Sequence, residues 1–275
     1  MSEWRVITGD CIEVMRGMEP GSVDCVIADP PYNVGFAYAT YRDNMPFHEY
    51  LQWQLDILRE VARILTEDGN CFYLNYPEAA AYVWAATQEA VDGLTGVEWL
   101  TWIYHPHTSG SPLRKATRAW LWFARCEDNY IGAADILGEY RNPDDTRIQQ
   151  KQASGQRPVD RDWWLYEQVK NVCPEKTEHP CQVPEEMVGR LIRIGCKPGG
   201  TVFDPFTGSG TTGVAALREE RNFVGTEVDS RYADIARRRI AGWRHKPVRQ
   251  RAQDAPEGQE TLFDDVPAAA QQQRA

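Results

Sequence analysis

The chain has 275 residues, 42% of them hydrophobic, and a formal net charge of −10. This length suits one large domain, or one domain with an insertion, and its core needs no disulfide or metal to be stable. Because no run of eighteen apolar residues occurs and the N-terminus lacks a basic region before an apolar stretch, we expect neither a membrane span nor a signal peptide. The seven scattered cysteines form no CxxC pair, and the five histidines have no partner at ligand spacing, so we expect reduced thiols, a cytoplasmic protein and no metal.

The charge is unevenly distributed along the chain. Residues 1–100 carry 5 Lys or Arg and 16 Asp or Glu, residues 101–200 carry 14 and 13, and residues 201–275 carry 11 and 11. The net charge argues against a simple nucleic-acid coat protein. A polyanion is therefore expected to contact the second and third parts of the chain rather than the first.

Hydrophobic spacing and turn signals predict alternating strands and helices between residues 4 and 246. The predicted strands are 4–8, 23–27, 71–74, 97–104, 118–124, 201–203 and 222–226. The predicted helices are 11–18, 47–65, 79–91, 185–194, 212–218 and 231–246, and a turn is predicted at 67–70. Such an alternation favours an α/β fold.

Two segments depart from this alternation. From residue 127 to 178 the hydrophobic periodicity fades, which is typical of a functional insert; the alternative is a solvated excursion anchored by Trp163 or Trp164. Residues 248–275 are rich in Gln, Ala and charge, and we expect a flexible tail. The sequence thus predicts a domain formed by 1–126 and 179–247, interrupted by the insert and followed by the tail.

The first chemical motif is Asp29-Pro30-Pro31-Tyr32, directly after a strand that reads as buried on both faces. Two prolines end the strand, so a carboxylate, a proline carbonyl and an aromatic ring meet at a carboxyl-terminal strand end, where open α/β sheets bind ligands. These groups suit a planar ligand with an exocyclic amine. A proline-terminated strand with a surface tyrosine is the alternative. In the loop 33–44, the dense aromatic residues either pack beneath it or close over a ligand.

The second motif combines a strand, a Gly-x-Gly turn, a helix, a further strand and a terminal acid. It runs from Asp204 through Gly208 and Gly210, and Glu227 follows at a distance suited to two ribose hydroxyls. Thr211 replaces the third glycine of the dinucleotide fingerprint, and Asp204 would repel a pyrophosphate. A cationic ligand without phosphate, S-adenosylmethionine, therefore fits better than NAD.

The two motifs, in this order and with a basic insert between them, resemble those of DNA amino-methyltransferases of the β-class arrangement. The resemblance extends over roughly residues 4–245 and includes Gly9-Asp10-Cys11 and His179-Pro180-Cys181-Gln182-Val183-Pro184. It departs at Val183, where the family usually has a basic residue, which puts cofactor contacts from that segment in doubt.

The resemblance implies a Rossmann-like, S-adenosylmethionine-dependent fold whose mostly parallel, seven-stranded sheet has one antiparallel strand. It also implies that Asp10 and the Cys11 backbone meet the adenine of the donor, that Gly208 and Gly210 wrap its methionine part, and that Glu227 holds its ribose. The expected cofactor-binding residues are Asp10, Cys11, Asp29, Asp204, Phe206, Gly208, Ser209, Gly210, Thr211, Thr212, Glu227 and Val228. The expected catalytic residues are Asp29, Pro30, Pro31 and Tyr32. The expected DNA contacts are Arg114, Lys115, Arg118, Arg147, Lys151 and Arg157, with residues 105–178 as target-recognition region.

The implied reaction is methylation of adenine N6 in double-stranded DNA, in a prokaryotic or virus-infected cell. Cytosine-N4 methylation is the alternative; by resemblance, cytosine enzymes more often have Ser at the position of Asp29. An RNA or protein amide methyltransferase, a nucleotide-binding oxidoreductase and a non-catalytic binding module remain further readings. A homodimer is also possible. In the tail, Gln259-Glu260-Thr261-Leu262-Phe263 looks like peptides that dock on replication sliding clamps, or else is a chance match.

Overall fold

The computed structural model describes residues 2–36, 43–105, 113–170, 173–179 and 181–243, which form eight strands and seven helices. The strands are β1 (Trp4–Thr8), β2 (Val23–Ala28), β3 (Leu65–Asn75), β4 (Thr95–Ile103), β5 (Thr117–Ala124), β6 (Trp163–Leu165), β7 (Thr201–Asp204) and β8 (Asn222–Glu227). The helices are α1 (Cys11–Arg16), α2 (Phe47–Ile64), α3 (Pro77–Ala90), α4 (Thr146–Ala153), α5 (Glu185–Gly195), α6 (Thr211–Arg218) and α7 (Ser230–Gly242).

All eight strands belong to one sheet, in the order β1-β8-β7-β2-β3-β5-β4-β6. Neighbouring strands are parallel except at β5, which is antiparallel to both β3 and β4. The predicted α/β class and the single antiparallel strand are confirmed. The predicted count of seven is wrong by one, because β6 comes from the insert and pairs with β4, with Thr101 opposite Trp163.

The central strand β2 is buried on both faces, as its apolar run predicts. Its side chains alternate between two core clusters: Cys25 and Ile27 belong to the cluster that includes α5 and α6, whereas Val26 and Ala28 belong to the cluster that includes α2. Helices therefore cover both faces of the sheet. This arrangement fixes the carboxyl end of β2 rigidly, since each fully buried Val or Ile contributes roughly 1.5–3 kcal/mol.

The start of β3 differs from the sequence prediction. Residues 67–70 lie within the strand rather than in a turn, and the pairing of β2 with β3 is irregular between Val23 and Cys25. The polar side chain of Asn70 is accommodated because its amide donates to the carbonyls of Tyr130 (2.9 Å) and Gly195 (3.0 Å), and Trp122 Nε1 donates to its oxygen (2.7 Å). A buried polar group with these partners is compatible with a central strand.

The insert is anchored at its two ends and exposed in between. Trp164 is buried and lies under the guanidinium of Arg190, 4.1 Å from the ring centroid, and the Trp102 indole donates to the carbonyl of Tyr166 (2.7 Å). Between these anchors, α4 has no buried residue. The insert therefore combines both expectations: Trp164 anchors it, and its helix is presented to solvent.

The C-terminal helix α7 ends at Gly242, whereas the prediction extended to residue 246. Residues 244–275, including the Gln259–Phe263 motif, lie outside the described residues. In the part of the chain that is described, no helix is both long and apolar enough to cross a membrane.

Candidate active site

The carboxyl ends of β1, β2, β7 and β8 border one cleft of about 360 Å³. This is the edge of a parallel sheet at which the strand order reverses, the usual ligand site of such folds. The predicted residues that line it are Asp10, Cys11, Asp29, Pro30, Pro31, Tyr32, Asp204, Phe206, Gly208, Ser209, Thr211, Thr212, Glu227 and Val228. The two motifs, about 170 residues apart in sequence, are thus brought together in space.

Gly210, by contrast, is not among the residues that line the cleft. Its φ of +84° and its position before α6 show why glycine is needed: a Cβ there would lie 3.0 Å from Ala236 Cα of α7. At Gly208, where φ is +50°, a Cβ would lie 3.1 Å from His179 Nε2. One glycine therefore allows two helices to pack, and the other allows the turn to approach the histidine.

Glu227 holds the glycine turn in place. Its Oε2 accepts a hydrogen bond from the Gly208 amide and its Oε1 one from the Asp229 amide, both 2.9 Å long. Each oxygen retains a second lone pair for a ligand hydroxyl. Burial raises the pKa of Glu227 despite these bonds.

The cleft concentrates negative charge. Asp204 is 4% exposed, and burial raises its pKa to about 7, with Asp29 and Glu227 adding to the shift and hydrogen bonds from Thr212 and the Phe206 amide opposing it. Three carboxylates in a site that is poor in water favour a ligand that brings positive charge. The residues present therefore fit a sulfonium with a free ammonium group better than a phosphate.

Asp10 and Cys11 begin helix α1 at the other end of the cleft. Asp10 Oδ1 caps this helix by accepting from the amides of Ile12 (2.9 Å) and Glu13 (3.1 Å). The Cys11 thiol is buried, and burial raises its pKa to about 12, so it is neutral. The side chain of Asp10 thus has a structural role as well as its predicted ligand role.

The predicted catalytic residues follow the end of β2. The Tyr32 hydroxyl donates to Asp29 Oδ1, and the Tyr50 hydroxyl donates to the Pro31 carbonyl (3.0 Å). Tyr32 is only 9% exposed and packs edge to face against Tyr76 at 5.1 Å, so it is not the surface tyrosine of the alternative reading. Burial raises the pKa of Asp29, while the charge of Arg118 and the Tyr32 hydrogen bond oppose this rise.

Asp43 organises the loop after Tyr32, a role that sequence reasoning missed. Its buried carboxylate accepts from the amides of Asn33 (2.7 Å), Val34 (3.0 Å) and Phe36 (3.0 Å). Residues 37–42 lie outside the described part, so the predicted role of the loop aromatics stays a prediction for Tyr38 and Tyr41.

His179 lines the cleft opposite the glycine turn. Its Nδ1 lies 2.7 Å from the Cys181 carbonyl, and its ring contacts Tyr232 edge to face at 4.7 Å. Burial lowers the pKa of His179 to about 4, so the ring is neutral at physiological pH. Val183, which departs from the family pattern, is buried and lines the same cleft. This wall is consequently uncharged, and neither His179 nor Tyr232 was predicted to line it.

The six predicted DNA contacts lie on separate elements. Arg114 and Lys115 are exposed before β5, and Lys115 pairs with Glu78 at 3.0 Å. In the insert, Arg147 and Lys151 lie on exposed α4, and Arg157 donates to the Gly138 carbonyl (3.3 Å).

Arg118 is different from these five. It is partly buried, and its Nη1 donates to the Tyr32 hydroxyl over 3.3 Å. It therefore belongs to the surroundings of the catalytic motif rather than to an exposed phosphate-binding face.

Metal chemistry has no candidate site in the described ranges: no group of three or more His, Cys, Asp or Glu side chains there is placed to hold a metal ion.

Known proteins share both the sequence pattern and the fold. A family model described as DNA methylase, for N6 and N4 enzymes, matches residues 23–238. The DNA adenine methyltransferase YhdJ of Escherichia coli strain K12 is 27% identical over 245 residues, which cover 86% of this chain and 82% of that protein.

Two solved structures show the same fold. The PvuII DNA methyltransferase, described as cytosine-N4-specific, superposes with a TM-score of 0.65 at 20% identity, covering 88% of this chain and 94% of that one. The DNA modification methylase TTHA0409 of Thermus thermophilus, in its complex with S-adenosyl-L-methionine, gives a TM-score of 0.59 at 24% identity and covers 86% and 93% of the two chains.

Proposed function

Because the chain belongs to the DNA methylase family, we propose that it transfers a methyl group from S-adenosylmethionine to the N6 amine of an adenine extruded from double-stranded DNA. One observation carries the proposal: Asp29 and Tyr32 share a cleft with the glycine turn and Glu227. A group that accepts amine hydrogens thus lies beside a site suited to a cationic nucleoside.

The donor is held by the residues around the glycine turn. The Glu227 carboxylate takes ribose hydroxyls, while Asp204 and the backbone of Gly208 face the charged amino-acid part. When bound, the donor supplies an electrophilic methyl group on a sulfonium. The carboxylates of the cleft favour this cation, and the complex of TTHA0409 with the same molecule supports the assignment.

The acceptor base is handled by the motif at the end of β2. Adenine must leave the helix, at a cost of a few kcal/mol, and stacking on Tyr32 returns roughly 1–3 kcal/mol. Asp29 and the Pro30 carbonyl accept the two amine hydrogens, which localises the nitrogen lone pair and aims it at the methyl group. The reaction then relies on positioning and electrostatics and needs no covalent nucleophile.

The choice between adenine and cytosine rests on Asp29. By resemblance, cytosine-N4 enzymes more often have Ser at this position, and the relative YhdJ is named as an adenine enzyme. The fold match with the cytosine-N4-specific PvuII enzyme supports cytosine N4 as the second candidate. Both amines sit beside a ring nitrogen and suit the same two acceptors.

We assign target recognition to the insert. Helix α4 exposes all its side chains, among them Arg147 and Lys151, and the segment is held to the domain by Trp164 and Arg190. Exposed Arg and Lys side chains suit contacts with phosphates and guanine edges.

Nucleoside mass spectrometry of DNA from cells that express the chain tests this proposal. Matched cultures express Asp29→Ala, which removes the acceptor, and Asp56→Ala, which removes an exposed carboxylate of α2. We expect N6-methyladenine with the intact chain and with Asp56→Ala, and none with Asp29→Ala.

The other outcomes have definite meanings. N4-methylcytosine in place of N6-methyladenine would keep the mechanism and change the base. An intact chain that yields no modified base would contradict the proposal. Equal modification by Asp29→Ala would remove Asp29 from the reaction.

A further inference from the structure

Arg118, near the start of β5, is enclosed by aromatic rings. Its guanidinium carbon lies 5.0 Å from the ring centroid of Tyr32, 5.4 Å from Tyr76, 5.2 Å from Trp102 and 5.9 Å from Tyr104. These rings come from the ends of β2, β3 and β4. Cation–π contacts of this kind stabilise a cation by about 0.5–1 kcal/mol when exposed and by about 2 kcal/mol or more when desolvated.

The polar contacts of this arginine lead to the catalytic carboxylate. Arg118 Nη1 donates to the Tyr32 hydroxyl over 3.3 Å, and that hydroxyl donates to Asp29 Oδ1. Within the described residues, Arg118 Nε is buried and has no hydrogen-bond partner. A desolvated cation with an unsatisfied donor is costly, and such a cost is common where a charge serves a site.

We propose that Arg118 is a positioning residue of the methyl-transfer site: it fixes the Tyr32 hydroxyl and supplies the positive charge that faces Asp29. When a base amine takes Asp29 Oδ1, the Tyr32 hydroxyl gives up this acceptor and keeps Arg118 as its partner. The ring then stays within reach of the base, and the buried carboxylate keeps a nearby counter-charge. This inference rests on the function proposed above.

The electrostatic surroundings give the role a measurable signature. Arg118 and Tyr32 face Asp29, Asp204 lies near it across the cleft, Cys181 faces Tyr32, and Tyr76 and Tyr104 face Arg118. Burial raises the pKa of Asp29, and Arg118 is the larger of the two groups that oppose this rise. Without the cation, the pKa of Asp29 rises further, so a higher pH is needed to ionise it.

The test is the pH dependence of single-turnover methylation, with radiolabelled S-adenosylmethionine and unmethylated amplified genomic DNA. Arg118→Met removes the charge, Arg118→Lys keeps it, and Arg59→Met is a matched control on exposed α2. We expect Arg118→Met to lose about tenfold or more in rate at neutral pH and to move the acidic limb of the profile upward. Arg118→Lys restores the position of that limb, and Arg59→Met leaves the profile unchanged.

Tyr32→Phe keeps the test decisive if Arg118→Met does not fold. It preserves the ring and removes only the hydroxyl that links Arg118 to Asp29, so the acidic limb should again move upward relative to Arg118→Lys. If the limb stays at the wild-type position in the folded variants, the inference is overturned while the proposed function stands. If the wild-type chain methylates no DNA, the proposed function fails and this inference fails with it.

Discussion

On the donor side of the cleft (residues 204–212 and Glu227), polar groups are fixed mainly by backbone amides of the same βαβ unit. Glu227 accepts from Gly208 and Asp229, and Asp204 Oδ1 accepts from the Phe206 amide at 2.8 Å. On the acceptor side (Asp29, Tyr32 and Arg118), the contacts join side chains, and Tyr32 and Arg118 are 86 residues apart. The donor side is therefore a local structure that the chain forms early along one unit, whereas the acceptor side exists only when the whole sheet has formed.

The largest expected effect separates the two sides completely. Asp29→Ala should reduce methylation by about 10³-fold or more, because the amine loses a preorganised acceptor, while donor affinity changes little. Methyl incorporation and calorimetric titration with S-adenosylmethionine measure the two quantities.

Asp56→Ala, which removes an exposed carboxylate, is the matched control for this change. A comparable loss of donor affinity in Asp29→Ala would show that the two sides are not independent.

Gly210→Ala attacks the donor side through the backbone. A residue with a Cβ at φ +84° is strained, and this Cβ would lie 3.0 Å from Ala236 Cα, so we expect a loss of about 2 kcal/mol in the free energy of unfolding and a Tm lower by roughly 4–8 °C. Thermal unfolding measures this, and donor titration should show weaker binding.

Gly242→Ala is the control, since a Cβ there has no neighbour within 4 Å. An unchanged Tm for Gly210→Ala would mean that α6 and α7 can separate at no cost.

The pH dependence of donor binding tests the charge of the cleft. Because the pKa of Asp204 is raised to about 7, lowering the pH from 8 to 5.5 protonates it, and affinity for the cationic donor should fall by about tenfold. The same shift means that this residue's contribution to stability decreases as pH rises from about 4 to about 7, since the folded chain holds the proton more tightly.

Donor titration at both pH values, with the wild-type chain and Asp204→Asn, measures the effect. The variant should show a flatter pH dependence; an equally steep one would assign the titration to Asp29 or Glu227.

The smallest effect concerns the insert. Lys151→Ala on exposed α4 should weaken DNA binding modestly and uniformly, and reduce the slope of log affinity against log salt by about one. Fluorescence anisotropy over a salt series provides the measurement.

Lys197→Ala is the matched control, since Lys197 pairs with Asp24 at the amino end of β2, away from the cleft. Identical slopes for the two variants and the wild type would remove Lys151 from the interface.

The same contrast explains how far the sequence could predict the molecule. Asp29, the glycine turn and Glu227 were predictable because each stands at the end of a buried strand, where periodicity and proline or glycine mark the position. Arg118 was predictable only as a basic residue, since its contact with Tyr32 depends on the pairing of distant strands. Helix α4 gave no signal because it has no buried face, and β6 has only three residues.

The orientation of β5 has one further consequence. As the strand that runs against its neighbours, it brings its beginning to the edge where they bring their ends, and Arg118 is paired there opposite Trp102 of β4. An arginine side chain loses about 1.5–2 kcal/mol of conformational entropy when it is fixed, and here folding of the sheet imposes that loss. The guanidinium is consequently already ordered when DNA arrives, unlike a basic side chain on exposed α4, which must be ordered during binding.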